Sequence, residues 1–496
     1  MTRIGLALTV AVVLVARATG QQPPGPGRLG LTGVGVARTE PSPAGGEAAA
    51  DRPPGYKPLR YDEDYTYLRD PARATDPFDP IKYVPLFGRD DTYLSLGGHL
   101  RERYEFYRDE LYGFAPADRS GANHALLQRY MGHADLHLGD RARLFGEFKS
   151  TQEGGRAGGP RPQIDRNAFD LHQGFADLVA PLGETDAATA RLGRQELRYG
   201  SGRLLDVREG PNNRLSFDAA RALVRAGGWA VDGFWGKPVD NRPGAFDDIP
   251  DPRRSLWGVY AVRPVPGAEG VTADVYYLGD ENKDARYFQG AGYELRNTLG
   301  ARLERVGRPL EFNHEAIWQF GNFAGGTIQA WSVATATRYT FRDLPLRPRL
   351  GLRADVASGD RDAGSSTLNT FSAPFPSGAY FNLADPVGPS NIYDLHPVLD
   401  LHPSETLTVV LDWDFFWRQS LNDGIYTISG QPVPSLDPGN RGRYIGDAPS
   451  VTLVWEPTRH VTVLASYVHF FPGRYVRETT PGKSFDYVTA WVTYKF

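Results

Sequence analysis

At 496 residues the chain is long enough for a large fold, and it carries 23% charged residues, a net charge of −4 and no cysteine. The absence of cysteine fits export to an oxidising compartment, where a stray thiol can mispair, and the small net charge singles out no class of partner. Beyond the first twenty residues no run approaches the ~18 apolar residues of a spanning helix, which excludes helical membrane spans and leaves a spanning sheet open.

Residues 1–20 read as a signal peptide. Arg3 gives the positive start, Ile4 to Val15 the apolar run, and Ala16, Ala18 and Gly20 the small residues of a cleavage site. Residues 21–90 read as a segment outside the main fold. Up to residue 55 it holds Pro23, Pro24, Pro26, Pro41, Pro43, Pro53 and Pro54 among many glycines, a composition that cannot bury a core and reads as a disordered tether. From 56 to 90 it is polar and aromatic, with Asp-Pro pairs at 70–71, 76–77 and 79–80. That stretch reads as a loosely structured periplasmic lead-in, too short for a plug domain.

Residues 91–496 read as an all-β unit: a single antiparallel transmembrane β-barrel of about eighteen strands, sixteen being the alternative, formed by one monomeric chain. Period-2 alternation recurs in segments of roughly 10–14 residues, the length of a tilted membrane strand. In 125–138, Leu126, Tyr130, Ala134, Leu136 and Leu138 oppose Arg129, His133, Asp135 and His137. In 346–358, Leu350, Leu352, Ala354 and Val356 oppose Arg349, Arg353 and Asp355. In 405–418, Leu407, Val409, Leu411, Trp413, Phe415 and Trp417 oppose Thr406, Thr408, Asp412, Asp414 and Arg418. Short links at 139–140, 227–228, 265–270, 307–309, 343–345, 403–404 and 456–458 alternate with long polar segments near 108–124, 150–167, 200–214, 238–254, 358–391, 419–442 and 472–483. Short periplasmic turns alternating with long external loops are the layout of a barrel in the bacterial outer membrane. The alternation breaks in 167–180 and 186–199, and the link at 322–326 is short where a long one is due. At the end of the chain Val488, Ala490, Val492, Tyr494 and the terminal Phe496 share one face, the form of strand that barrel-assembly machinery recognises.

Three stretches resemble the alginate export family: GRQELRYGSGRLLDVREGPNNRLSFDAAR at 193–221, SGD with GAYFNLADPVGPSNIYDLHP within 358–397, and FFWRQSLNDGIY, then RYIGD, with the terminal strand. The resemblance spans roughly residues 90 to 496 and implies an eighteen-stranded monomeric barrel in outer-membrane lipid. It also implies export of a polyanion such as alginate through an arginine-rich constriction, with a periplasmic secretion complex as a possible partner. The family name covers proteins with other cargoes, so a porin taking up small anions stands beside polysaccharide export.

Basic residues are overwhelmingly arginine, 48 against seven lysines. Guanidinium forks pair carboxylates bidentately and keep their charge, and rings of them inside a pore select anions. Residues 191–225 hold eight arginines, of which Arg194, Arg198, Arg203, Arg208, Arg214 and Arg221 are candidate pore-lining cations, interleaved with Glu196, Asp206, Glu209 and Asp218. Arg129, Arg143, Lys149, Arg296, Arg302, Arg349, Arg353 and Arg418 stand opposite the apolar faces of their strands. Each of these basic residues has two readings, a cargo contact or one half of an ion pair bracing the wall. Asp412 and Asp414 share a face about 7 Å apart, the spacing of a carboxylate pair, and Arg418 beside them favours a salt-bridged wall. His133 and His137 lie ~13 Å apart at strand rise, too far for one metal. No cofactor, metal site or nucleic-acid interface is expected. No nucleophile elbow, phosphate loop or zinc-helix motif is present, which leaves a barrel enzyme as the third reading.

Overall fold

The computed structural model describes residues 55–496 apart from Pro116, Ser120, Ala363, Asn440, Arg441 and Thr480. The expected signal peptide at 1–20 and the tether to residue 54 lie outside the described residues.

Eighteen long strands close into one antiparallel barrel. The first half is β1 (Arg89–Arg108), β2 (Ala122–Leu138), β3 (Ala142–Gly154), β4 (Asn167–Pro181), β5 (Ala187–Gln195), β6 (Phe217–Ala226), β7 (Trp229–Asp240), β8 (Arg254–Pro264) and β9 (Val271–Tyr287). The second is β10 (Gly290–Arg305), β11 (Leu310–Phe323), β12 (Gly326–Thr340), β13 (Arg349–Ala357), β14 (Ile392–Leu401), β15 (Leu407–Arg418), β16 (Tyr444–Thr458), β17 (Val461–Pro472) and β18 (Phe485–Lys495). Each strand pairs with its chain neighbour, and β18 returns to β1 in a register running from His99 opposite Lys495 to Arg108 opposite Asp486. Closure leaves no open edge in the wall, so the strands satisfy one another's backbone polar groups, as lipid demands. Three two- or three-residue strands (Val84–Leu86, Ile249–Pro250, Thr367–Leu368) attach to this wall.

The alternation has its expected physical outcome. On β2 the arginine and histidine face is buried inside while Leu126 on the other face is 49% exposed to the surroundings, and the same inversion holds on β13 and β15. Trp235, Trp318, Trp413 and Trp455 also face outward, consistent with the aromatic girdles of a membrane barrel. The end where β1 begins and β18 finishes carries the short turns. At Gly227-Gly228 both residues have positive φ, 58° and 81°, the backbone a two-residue hairpin turn of matching twist requires. The turn expected at 456–458 lies at 459–460 instead, because β16 continues to Thr458 through an irregularity after Trp455. At the opposite end two links, 288–289 and 324–325, are also tight, and the rest are long.

The two segments where alternation fails have local causes. Register shifts between β3 and β4 place both His172 and Gln173 on the buried side, the signature of a bulge. β5 and β6 are only nine and ten residues long, and Gly193 sits at φ 131° against the backbone of Gly174 and Phe175. Because these two strands stop early, the 196–216 loop starts inside the barrel rather than above it.

Candidate pore lining

The 196–216 loop is held in the lumen by its own backbone and by the 358–391 loop. Phe375 N–H donates to Leu204 O, Asp206 N–H to Phe375 O, each at 2.9 Å, and Ser377 N–H to Gly202 O at 2.9 Å. The Leu205 and Phe375 side chains are buried there, with Phe375 edge-on to Phe217 at 5.3 Å. Asn212 Nδ2 donates to the carbonyls of Gln128, Gln152 and Asp165 at 2.9–3.0 Å, which ties the loop to β2 and β3. A loop satisfied by this many internal partners is held in one fixed conformation.

Its tip carries Arg208, Glu209 and Gly210. Arg208 has a left-handed φ of 57°, a conformation unusual for a bulky side chain and retained where surrounding structure enforces it. The half-exposed Glu209 accepts from three guanidiniums. Arg101 Nη1 donates to its carbonyl at 2.7 Å, and Arg129 and Arg214 pair with its carboxylate. Arg214 also grips Glu196 bidentately at 2.6 and 2.9 Å, so one carboxylate faces more positive charge than it can cancel. Arg208 donates to Pro376 O at 3.2 Å, and among the described residues no carboxylate lies within 4 Å of it. Burial pushes its guanidinium down to about 10, with nearby Arg254 adding repulsion. It remains charged at neutral pH, in a place where an anion would relieve the strain.

Most of the other expected cations are inward but committed to partners. Arg143 is bidentate on Asp135 at 2.7 Å, Arg302 holds Asp274 at 2.6 Å and Glu304 at 3.1 Å, and Lys149 holds Asp248 at 2.9 Å. Arg203 bridges Asn313 and Glu315 at 2.9 and 3.2 Å, Arg198 pairs with Asp206 at 3.1 Å, and Arg221 with Asp232. Arg296 pairs with Glu294, and Arg349 with Asp400. Arg353 donates to Tyr380 O at 2.7 Å, and Arg418 to Gly442 O at 2.9 Å beneath the Tyr475 ring. Asp412 and Asp414 flank His396 rather than pairing with Arg418. Arg194 lies next to the end of β5. Opposite Asp218 on β6, it lies on the register of Leu192 and Ala220, both exposed, whereas Arg191 and Gln195 are buried inside. It pairs with Asp218 at 2.8 Å, stands 3.8 Å from Asp170 and donates to Leu171 O and Asp248 O at 3.1 and 3.3 Å, so it too is committed to partners.

The short-turn end is occupied by the segment before β1. Tyr61 inserts edge-on against Phe145 and Phe175 at 6.1 and 5.4 Å, under the Arg191 guanidinium at 4.4 Å, and its hydroxyl donates to Glu196 O at 2.8 Å. Arg60 donates to the carbonyls of Gly98 and Phe496 at 2.9 Å each, and Arg214 reaches down to Pro58 O at 3.0 Å. Lys82 Nζ donates to Leu96 O at 2.8 Å near the Tyr56 and Tyr65 rings, and burial pushes its pKa down to about 8. Residues 56–83 are thus packed in the barrel mouth, against the expectation of a loosely structured lead-in. The reason is visible in the side chains: Arg60, Tyr61, Lys82 and Tyr83 contact the wall at Gly98, Phe145, Leu96 and Tyr93.

Arg101, Arg103 and Glu105 on β1 belong to the same inner face and were not singled out from the sequence. The alternation His99, Arg101, Arg103, Glu105 against Leu100, Tyr104 and Phe106 carried the signal.

A closed barrel with an apolar exterior, a charged interior and a loop folded into its lumen is an outer-membrane channel of a bacterium. The chain belongs to the alginate export family, whose model, described as alginate export, matches residues 92–490. No curated protein sequence matches it. Among solved structures it is similar to a BenF-like porin from Pseudomonas fluorescens, at 9% identity and TM-score 0.55, covering 81% of this chain and 98% of that one. It is likewise similar to the outer membrane protein OpdK from Pseudomonas aeruginosa, at 12% identity and TM-score 0.53, covering 81% and 98%. OccAB4 of Acinetobacter baumannii aligns at 9% identity and TM-score 0.54, covering 81% and 97%. At such identities the likeness is one of fold.

Proposed function

We propose that this channel exports an acidic polysaccharide of the alginate type, its carboxylates passing along the cations gathered by the 196–216 loop. The observation that carries the reading is Arg208: a guanidinium held in the lumen with no carboxylate partner in ion-pair range among the described residues. Beside it Arg101, Arg129 and Arg214 share Glu209. A polyuronate carboxylate can displace Glu209 on any of these forks, and Glu209 can take the fork back, so attraction stays weak enough for the chain to advance. Outer-membrane lipid surrounds the wall, the assembly machinery reads the strand ending in Phe496, and a periplasmic secretion complex delivers cargo to the short-turn end.

A second reading, uptake of small organic anions, rests on how far the loops fill the lumen, and OpdK has been solved with vanillate, a small carboxylate. Single-channel recording in planar bilayers separates the two. Polyuronate blocking an anion-selective current from the periplasmic side, at concentrations where a monomeric uronate does not, supports export. Equal block by monomer and polymer supports uptake, and a cation-selective channel overturns both.

A further inference from the structure

Residues 56–61 do more than rest on the short-turn end of the barrel, because their contacts lie on opposite sides of it. The Tyr56 hydroxyl stands 3.1 Å from His460 Nδ1, in the turn between β16 and β17. Arg60 reaches the seam of β1 and β18 through the carbonyls of Gly98 and Phe496. Tyr61 lies against Phe145 on β3, Phe175 on β4 and Arg191 on β5, and its hydroxyl is 3.5 Å from Arg221 Nη1 on β6. Seven strands separate β16 from β6 through the seam and nine the other way round, so the segment crosses the lumen close to a diameter. It is too short to have a core of its own and borrows one. Leu59 and Tyr61 form a buried apolar cluster with Phe145, Phe175 and Val207, the last on the 196–216 loop. Wall, segment and lumen loop are packed there as one body, and packing of that kind leaves no room for water.

Two features make this closure releasable. The guanidiniums around the segment keep carboxylates of their own: Arg143 on Asp135, Arg191 on Asp177, Arg214 on Glu196 and Arg221 on Asp232. What Arg143 and Arg214 give the segment is hydrogen bonds to neutral carbonyls, Tyr61 O at 2.6 Å and Pro58 O at 3.0 Å. Arg60 pairs with Glu63 inside the segment at 2.8 Å and takes that partner with it. Withdrawal therefore strands no buried charge, the effect that makes breaking a buried ion pair costly. The other feature is the anchor. Val84–Leu86 pairs with β1, Val84 opposite Leu94, and holds the segment's far end to the wall, while residues 69–75 between the two are exposed. A strap fastened at one end and held at the other by apolar packing and carbonyl bonds can leave and return.

We propose that residues 56–61 are a releasable plug, closing the channel at its short-turn end when docked and opening it on withdrawal. Such a plug acts on any ion the lumen passes, whatever the cargo.

The test is ion current through the full-length barrel in planar bilayers. Released states of a two-state element are ordinarily ~0.1–10% populated, so Leu59→Ser with Tyr61→Ser, which strips both apolar anchors, should raise the current per barrel about tenfold or more over the unmodified protein. The chain has no cysteine, so Leu59→Cys with Phe175→Cys gives a single pair that a cleavable thiol crosslinker can join. Linked barrels should be silent and regain current when the link is cleaved. Where either variant lacks the heat-modifiable band of a folded barrel, trypsin applied to the unmodified barrel from the short-turn side decides. Cutting at the exposed Arg69 or Arg73 should turn brief openings into sustained current. Equal current in linked and cleaved barrels, or a steady current in the unmodified barrel that neither the serine variant nor trypsin raises, overturns the proposal. A cation-selective current that follows the plug in these ways would overturn the cargo reading and leave the plug standing.

Discussion

Arg208 and Arg143 are both inward arginines, yet they differ in what surrounds them. Arg143 spends its fork on Asp135, whereas Arg208 meets only a carbonyl and the Phe375 ring. A charged hydrogen bond is worth ~1.5–3 kcal/mol, so Arg208→Ala should raise the half-blocking concentration of polyuronate by about tenfold or more, with barrel yield unchanged. Arg143→Ala should do the reverse, lowering yield through the Asp135 left with His137 alone, at 3.2 Å, and leaving the block of surviving channels close to normal. Bilayer titrations beside heat-modifiability gels read both quantities. Block should also weaken as salt shortens the Debye length to ~3 Å at 1 M. Which arginine was which could not be read from the sequence. Alternation gives the face of a side chain, but its partner is set by the neighbouring strand's register and by loops folding in from far along the chain. Arg194 shows the limit most sharply: one position beyond Gly193 it falls on the outward register, while Arg191 and Gln195 are buried inside.

At the scale of elements, strands with clean alternation (β2, β13, β15, β18) were legible because one apolar face in lipid dictates their period. β4 and β5 were not, since a bulge and an early stop erase the period where the constriction loop begins. The docking of 56–83 was not legible for a related reason: its partners Phe145, Phe175 and Gly98 are distant in sequence, and the composition is that of a polar, proline-punctuated stretch. Its docking makes a pH prediction. Lys82 has its pKa lowered from 10.5 to about 8 by burial, so the docked state disfavours the charged amine. Below pH 8 the lysine is protonated whether docked or free and docking bears the whole penalty. Between about 8 and 10.5 the docked form sheds its proton first, so docking tightens as pH rises through that window. Protease cleavage within 56–83 should therefore slow from pH 7.5 to 10, and Lys82→Met should show slow cleavage throughout. Cleavage that accelerates with pH in the unmodified protein would contradict the assignment.

The molecule as a whole is an inverted globule, with ion pairs inside and leucines outside, and its last residue is built into the seam that closes it. Phe496 exchanges backbone hydrogen bonds with Gly98 at 3.0 and 3.1 Å, which extends the β1–β18 ladder to the final residue. Its ring lies 5.5 Å from Phe78 and 6.4 Å from Tyr494, and a Cβ on Gly98 would stand 2.9 Å from it. The packing contact seen there and the recognition role proposed for the terminal ring predict different failures. The lipid-facing wall supplies the scale: Leu126→Arg places a charge in hydrocarbon and should cost ~2–4 kcal/mol near the bilayer midplane, visible as a lower unfolding midpoint in lipid. Phe496→Asp leaves the backbone bonds to Gly98 intact and removes only the ring, so refolding of the purified chain into detergent should stay near normal. In cells, under the proposed recognition of the terminal aromatic by assembly machinery, the same variant should accumulate little heat-modifiable protein. Gly98→Val should fail in both settings, because it forces the ring and the seam apart. If Phe496→Asp assembled normally in cells, the terminal ring would be a packing residue alone. If it failed equally in detergent, the seam rather than recognition would account for the loss.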